Sequence, residues 1–374
     1  MAGIYIHIPF CRKACHYCNF HFSTSLQLQS EMVGSILEEI ALRRSYLGGD
    51  RVETIYFGGG TPSLLSPEEL KAILGKLGQT FEIAADAEIT FEANPDDITP
   101  AKLDDWRAAG INRLSIGVQS FFDEDLRWMN RAHGAAQSLQ CLQDAEAAGF
   151  YNLNIDLIYG GPGMTDEKWA YNVQQAIEQN IPHLSCYALT VEPATALDKM
   201  IKKHQVDDVD PERQASQFLY LSETLSLAGY EHYEISNFSK PGMRSRHNTS
   251  YWQGKHYLGI GASAHSFNGV SRQWNIANNV QYIKSITGGL VPFEIEMLTL
   301  AQQKNEYIMT ALRTMEGISL TQVRDWFGEE EVERIVEIAS SFVYDGRLLI
   351  KNDCMVLTMS GRLFADGIAS DLFV

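Results

Sequence analysis

The chain has 374 residues, with 30 Lys+Arg against 47 Asp+Glu and a formal net charge of −17. That length suggests two or three domains, or one large α/β domain with an appendage. A hydrophobic fraction of 45% and a charged fraction of 21% exclude wholesale disorder, and the acidic balance argues against non-specific nucleic-acid or anionic-membrane binding.

Apolar runs alternate with amphipathic stretches along the first two thirds of the chain. Tyr5–Ile8 reads as a strand ending at Pro9, and a helix from about Gln27 to Tyr46 places Met32, Ile36, Ile40 and Leu42 near one stripe. Glu53–Phe57 leads into a glycine run, after which Ser66-Pro67-Glu68-Glu69 offers an N-cap, a first-turn proline and acidic first-turn residues. Ala87–Glu92 ends at Asn94-Pro95, and Thr99-Pro100 opens the next helix. Arg113–Val118, Leu153–Ile158 and His183–Leu189 complete six candidate strands, with helices near 136–148, 167–179 and 211–227.

This order predicts an α/β fold, a partial (β/α)6 TIM-like barrel of parallel strands with crossover helices over about residues 1–235. Functional residues of such a sheet gather at the strand C-terminal ends. Residues 236–299 read as a connecting region. From Leu300 to Val374 the order of helices and short strands predicts a smaller winged-helix-like α+β domain, with a turn at Asn352-Asp353. That segment carries seven Lys+Arg and twelve Asp+Glu, the wrong sign for phosphate binding, so a structural or protein-contact role is expected and no nucleic-acid partner.

No stretch approaches the ~20 apolar residues of a membrane span. Met1–Pro9 lacks the basic and apolar regions of a signal peptide, and the expectation is a cytoplasmic protein without membrane insertion, monomeric or homodimeric. Six cysteines stand at positions 11, 15, 18, 141, 186 and 354, three of them within eight residues. In such a chain the cluster means metal or redox chemistry rather than disulfides, while Cys141, Cys186 and Cys354 read as small buried hydrophobes.

Pro9-Phe-Cys11-Arg-Lys-Ala-Cys15-His-Tyr-Cys18-Asn-Phe20 spaces three thiols as C-x3-C-x2-C just beyond a strand. Three thiolates on a short loop can wrap one compact soft-metal centre. A four-iron cluster normally takes four cysteines, so three leave one iron open to a small chelating molecule. Phe10, Tyr17, Phe20 and Phe22 could shield such a cluster. The competing reading is a Cys3His zinc site using His7, His16 or His21.

The loop resembles the hallmark of radical S-adenosylmethionine enzymes, and the chain resembles the branch that contains oxygen-independent coproporphyrinogen III oxidases and related haem chaperones. The resemblance runs from Tyr5 through the C-terminal region. It implies a 4Fe–4S cluster on Cys11, Cys15 and Cys18, with S-adenosylmethionine bound at the open iron.

Gly58-Gly59-Gly60-Thr61-Pro62 is by itself a turn or ligand-approach loop, without the Lys-Ser/Thr of a Walker motif. Glu92 and Asp156 are carboxylates inside apolar runs, costly unless paired, and could be partners in a salt bridge or for ribose hydroxyls or an ammonium. Gln119 offers an amide, and Arg131 a fork for a carboxylate. The resemblance assigns Tyr5, Gly59, Gly60, Thr61, Glu92, Gln119, Arg131 and Asp156 to S-adenosylmethionine, with Gly160-Gly-Pro-Gly163 on the same rim.

Two departures set the chain apart from the oxidases. Phe20 stands where they carry a further cysteine, and only ten residues precede Cys11 where they have a substantial extension. His247-Asn-Thr-Ser-Tyr251-Trp252 reads H-N-x-x-Y-W, a motif that the resemblance associates with haem binding by His247, while Arg244 and Arg246 could meet haem propionates. The expectation is a haem chaperone passing haem to an acceptor protein, with an electron donor for the cluster. The alternatives are radical decarboxylation of coproporphyrinogen III propionates to vinyls, and a non-radical zinc-bearing binding protein.

Overall fold

The computed structural model describes residues 2–374. β1 (Ala2–Ile8) alternates as a two-sided strand must: Ile4, Ile6 and Ile8 are buried in the core, while Tyr5 and His7 occupy the opposite face. It continues into the cysteine loop, then α1 (Gln29–Leu42) and β2 (Val52–Gly59). Met32, Ile36 and Ile40 form the buried stripe of α1, but Leu42, its last residue, is exposed.

The next units are α2 (Pro67–Thr80), β3 (Ile83–Ala93), α3 (Pro100–Ala109), β4 (Arg113–Gln119), α4 (Asp123–Trp128), α5 (Ala135–Ala147), β5 (Leu153–Tyr159), α6 (Asp166–Glu178) and β6 (His183–Ala188). Local chemistry explains where these helices begin. Ser66 and Glu69 close a reciprocal capping box on α2, and Thr99 caps α3 through the Lys102 N–H. After α7 (Ala196–Lys202) and α8 (Pro211–Leu227), β7 (Glu231–Glu234) and β8 (Asn237–Ser239) turn back along the sheet. α4 and α7 span six and seven residues, too short to display a helical stripe in sequence.

The strands β1 to β6 lie side by side in parallel, as the alternation predicts. The sheet is wider than six strands. α9 (Arg246–Trp252) leads to β9 (His256–Ile260), which adds in parallel to the free side of β1. β10 (His265–Phe267), β11 (Ser271–Asn275), α10 (Asn279–Thr287) and β12 (Phe293–Met297) follow, the strands running antiparallel. The result is an open twelve-stranded sheet with β12 and β7 at its edges rather than a closed barrel.

One buried carboxylate fastens this extension. Glu39 of α1 is fully buried and accepts hydrogen bonds from the Gly261 N–H at 2.8 Å, the Asn275 amide at 2.7 Å and the Tyr282 hydroxyl at 2.5 Å. Burial raises its pKa above the usual carboxylate value against these bonds.

The remaining chain makes a second core. α11 (Leu300–Leu312), β13 (Ile318–Ser319), α12 (Leu320–Phe327), α13 (Glu329–Tyr344), β14 (Leu348–Lys351) and β15 (Cys354–Leu357) fold in the winged-helix order, followed by α14 (Met359–Arg362) and α15 (Ala365–Leu372). Asn352 and Asp353 both take positive φ at the β14–β15 turn, a conformation their short polar side chains tolerate. Ile308, Ile318, Ile335, Met355 and Ile368 are buried in this module, which is tied to the large sheet by the Arg313–Glu234 ion pair at 2.8 Å. Among the described residues no helix is long and apolar enough to cross a membrane.

Candidate functional site

The cysteine loop is held from several sides. The Cys11 N–H donates to the Ser23 carbonyl at 3.0 Å, the His16 N–H to the Met129 carbonyl at 3.1 Å, and the Leu197 N–H to the His16 carbonyl at 2.8 Å. His16 Nδ1 also donates to the Trp128 carbonyl at 2.6 Å, and the Asn130 amide donates to the Ala14 carbonyl at 2.8 Å. Beneath the loop Met129, Ile158, Leu189 and Leu197 form a small apolar cluster on which Tyr17 packs.

Cys11, Cys15 and Cys18 all line a pocket of about 500 Å³ that opens at the C-terminal ends of the parallel strands. Gly59, Gly60 and Thr61 arrive from β2, Glu92 from β3, Gln119 from β4 and Asp156 from β5, with Arg131 from the turn after α4. Seven of the eight expected S-adenosylmethionine contacts and all three cysteines thus meet in one cavity, although they are spread over some 145 residues of chain. Among the described residues no histidine lines it, so His7, His16 and His21 lie outside its wall. Tyr17 and Phe20 form part of its wall, whereas Phe10 is buried in the main core.

The glycines have a packing reason besides ligand approach. Gly59 has φ of 102°, and a Cβ there would lie 2.5 Å from the His7 ring; one on Gly60 would lie 2.5 Å from the Phe10 carbonyl oxygen. Bare backbone lets β2 close against β1 and the start of the cysteine loop. Gly160–Gly163 does not reach the pocket: Gly160 packs against Gln214 of α8, and its N–H donates to Gln217 at 2.9 Å.

Arg131 is pinned rather than free. It donates to Cys15 Sγ at 3.3 Å, to the Asn94 side-chain oxygen at 2.5 Å and to the Gly117 carbonyl at 2.8 Å, which leaves Nε without a partner. Asn94 in turn donates to the Thr61 hydroxyl at 3.2 Å. Asn94 marks only a strand end in the sequence and Asn130 has no reading of its own, yet they set the position of the arginine and of the loop. The Gln119 amide makes no hydrogen bond among the described residues and lies on the pocket wall, on a backbone with φ of 68°. Non-glycine residues rarely adopt that conformation, and it is concentrated at functional sites.

The two carboxylates are reachable through the pocket but surrounded by protein. Burial lifts Glu92 to about 7 and Asp156 to about 6, and the Asp156 charge raises Glu92 further. Opposing this, the Tyr56 hydroxyl donates to Glu92 at 2.8 Å and the Asn154 amide donates to Asp156 at 2.8 Å. Arg113, wholly buried at the start of β4, contributes positive charge to both. Burial also pushes the Cys11 thiol up to about 11 and raises Cys18, with the neighbouring cysteines adding to the effect. This donor set fits the expected groups: thiols for a soft metal, and acids and an unbonded amide for a polar, cationic small molecule.

Tyr5 belongs to a second and larger cavity of about 1110 Å³, between the β9–β11 side of the sheet and the C-terminal module. Tyr251, Trp252, Tyr257, Phe267, Tyr307 and Trp326 give it aromatic walls, and Phe20 lines both cavities. His247 lines neither. It is fully buried, with Nδ1 bonded to the Thr54 hydroxyl at 2.8 Å and Nε2 to the Tyr251 hydroxyl at 2.8 Å. As arranged, it links β2 to the aromatic wall and has no nitrogen to offer a ligand. Arg244 does face the cavity, already paired with Glu231 at 2.9 Å and Glu316 at 2.7 Å. Arg246 instead donates to the Asp86 carbonyl at 2.7 Å and is absent from the cavity wall.

Comparison with known proteins agrees with this geometry. The family model of the radical SAM superfamily matches residues 5–175. A protein of Mycobacterium tuberculosis named heme chaperone HemW is 35% identical over 99% of this chain and 94% of its own length. The heme chaperone HemW of Bacillus subtilis is 31% identical over 98% of this chain and 97% of its own. Among solved structures, coproporphyrinogen III oxidase (HemN) from Escherichia coli, described as a radical SAM enzyme, superposes with a TM-score of 0.87 at 25% identity, covering 100% of this chain and 90% of its own. With these full-length relatives, the chain belongs to the radical SAM superfamily, beside the HemW proteins.

Proposed function

We propose that this protein is a haem chaperone. Cys11, Cys15 and Cys18 carry a 4Fe–4S cluster, S-adenosylmethionine occupies the rest of the smaller pocket, and haem is held in the larger cavity before transfer to an acceptor protein. The observation that carries this reading is the adjacency of two different cavities. One has three thiols with acids and glycines; the other is aromatic and large enough for a porphyrin, since drug-sized ligands take ~300–1,000 Å³. The names of the full-length relatives support it.

In the smaller pocket Gln119, Glu92 and Asp156 would orient the ligand's polar groups, and Arg131 would keep positive charge beside Cys15. The bound cluster and ligand supply one-electron chemistry, with an external electron donor. Tyr17 and Phe20 would limit water at the thiols. Glu92 would accept a hydrogen bond or hold a cation once that contact offsets its burial.

The likeness to the oxidase structure favours one second reading, radical decarboxylation of coproporphyrinogen III. Phe20, in place of the oxidases' further cysteine, weighs against it. Product analysis after anaerobic reconstitution, reduction and incubation with coproporphyrinogen and S-adenosylmethionine decides the matter. The chaperone reading expects no turnover and a Soret change on haemin titration. Conversion to protoporphyrinogen over many turnovers overturns it.

A further inference from the structure

The haem-binding reading leaves open which side chain meets the iron, and the geometry answers differently from the sequence. Four histidines lie on or beside the larger cavity. His7 has both ring nitrogens engaged, Nδ1 with the Tyr5 hydroxyl at 3.2 Å and Nε2 with the His21 carbonyl at 3.0 Å. His247 also has both engaged. His21 spends Nε2 on the Asn279 side-chain oxygen at 2.8 Å and lies stacked on His7, with ring centroids 6.3 Å apart. His265 alone has neither nitrogen hydrogen-bonded among the described residues, and it lines the cavity with its side chain exposed.

We propose that His265 is the axial ligand to the iron of haem bound in the larger cavity, a proposal that rests on the haem-binding reading above. Strand geometry supports it. In the β10–β11 hairpin His265 pairs with Trp274 and Phe267 with Arg272, so period-two alternation puts all four on one face. The Trp274 ring stacks on the imidazole at 6.2 Å and 30°, which restrains its orientation, and Phe267 and Arg272 line the same cavity. Partial desolvation at the cavity wall and the Arg272 charge lower the pKa of His265 from its ordinary value. The ring is therefore neutral near pH 7, with a lone pair available for a metal. Nothing in the fold depends on those nitrogens, so the ring can be replaced without orphaning a partner.

The test is an anaerobic haemin titration of the full chain, read by the Soret band and by electron-spin resonance of the ferric complex. Wild type, His265→Ala, His265→Gln, His247→Ala, His21→Ala and Cys354→Ala are compared, and thermal melting checks that each is folded. The expected result is at least about tenfold weaker haemin binding and loss of the nitrogen-ligand spectrum in both His265 variants. Added free imidazole should restore the spectrum in His265→Ala, which a merely structural role would not allow. His21→Ala and Cys354→Ala should keep the wild-type spectrum, and His247→Ala should keep it if folded. An unchanged spectrum in the His265 variants, or a loss confined to another variant, overturns the ligand assignment while leaving haem binding intact. Failure of the wild-type chain to bind haemin at all overturns the haem reading itself, and this assignment with it.

Discussion

The two cavities share Phe20 and differ in nearly everything else. The smaller is built by consecutive strand ends of one parallel sheet, each delivering one or two polar residues from a short local motif. The larger is assembled from β1, the β9–β11 extension and the C-terminal module, segments up to 350 residues apart, and its walls are mainly aromatic. A site made by one topological rule places its chemistry where the rule says. A site made where two units meet depends on packing, which no local pattern records. The smaller site is therefore suited to fixed chemistry, and the larger to a broad apolar guest.

If the cavities are separate in function, removing a thiol should empty one and spare the other. Cys11→Ala is expected to abolish the iron–sulfur absorbance and iron content of anaerobically reconstituted protein while haemin titration stays at wild type; simultaneous loss of both would break the distinction. Gly59→Ala should injure both cavities. Its φ of 102° and the His7 ring 2.5 Å away predict a loss of about 1–3 kcal/mol, measured as a lower urea midpoint, because His7 lines the larger cavity.

A smaller effect sharpens the comparison through pH. Glu92 titrates at about 7 when folded against 4.5 ordinarily, so the folded chain binds more protons between those values. Its contribution is favourable below pH 4.5 and is lost as pH rises through 7. In ligand-free protein Glu92→Gln should flatten the fall in Tm between pH 5.5 and 8 by on the order of a few degrees. An unaltered pH profile would show that the pocket does not strain this carboxylate. Least affected should be Arg324→Ala, which removes an exposed, solvent-screened ion pair to Glu329; Tm and both titrations should stay at wild type.

Much of this was legible in sequence because it rests on short-range chemistry. The six parallel strands, the caps at Ser66 and Thr99, and the C-terminal helix–strand order follow from periodicity and end signals. The meeting of Cys11, Gly59, Glu92, Gln119, Arg131 and Asp156 follows from strand-end geometry once the motifs are recognised. Less was legible where long-range contacts decide. Glu39 looks like any acidic helix residue until Gly261, Asn275 and Tyr282 close on it. His247 sits in a suggestive motif, yet Thr54 and Tyr251 consume both its nitrogens. Asn94 and Asn130 carry no motif at all and act only through partners brought near by folding.

The anchoring of residues 11–18 bears on how a metal centre would be acquired there. In small zinc modules the ion must organise the chain that holds it, and much of its affinity is consumed in ordering that chain. Here Met129, Trp128, Asn130 and Leu197 moor the segment through hydrogen bonds that use none of the three thiols. Assembly should then resemble loading a preformed receptacle: iron-free protein resists proteases at these residues, and its melting changes little when the inorganic core is inserted.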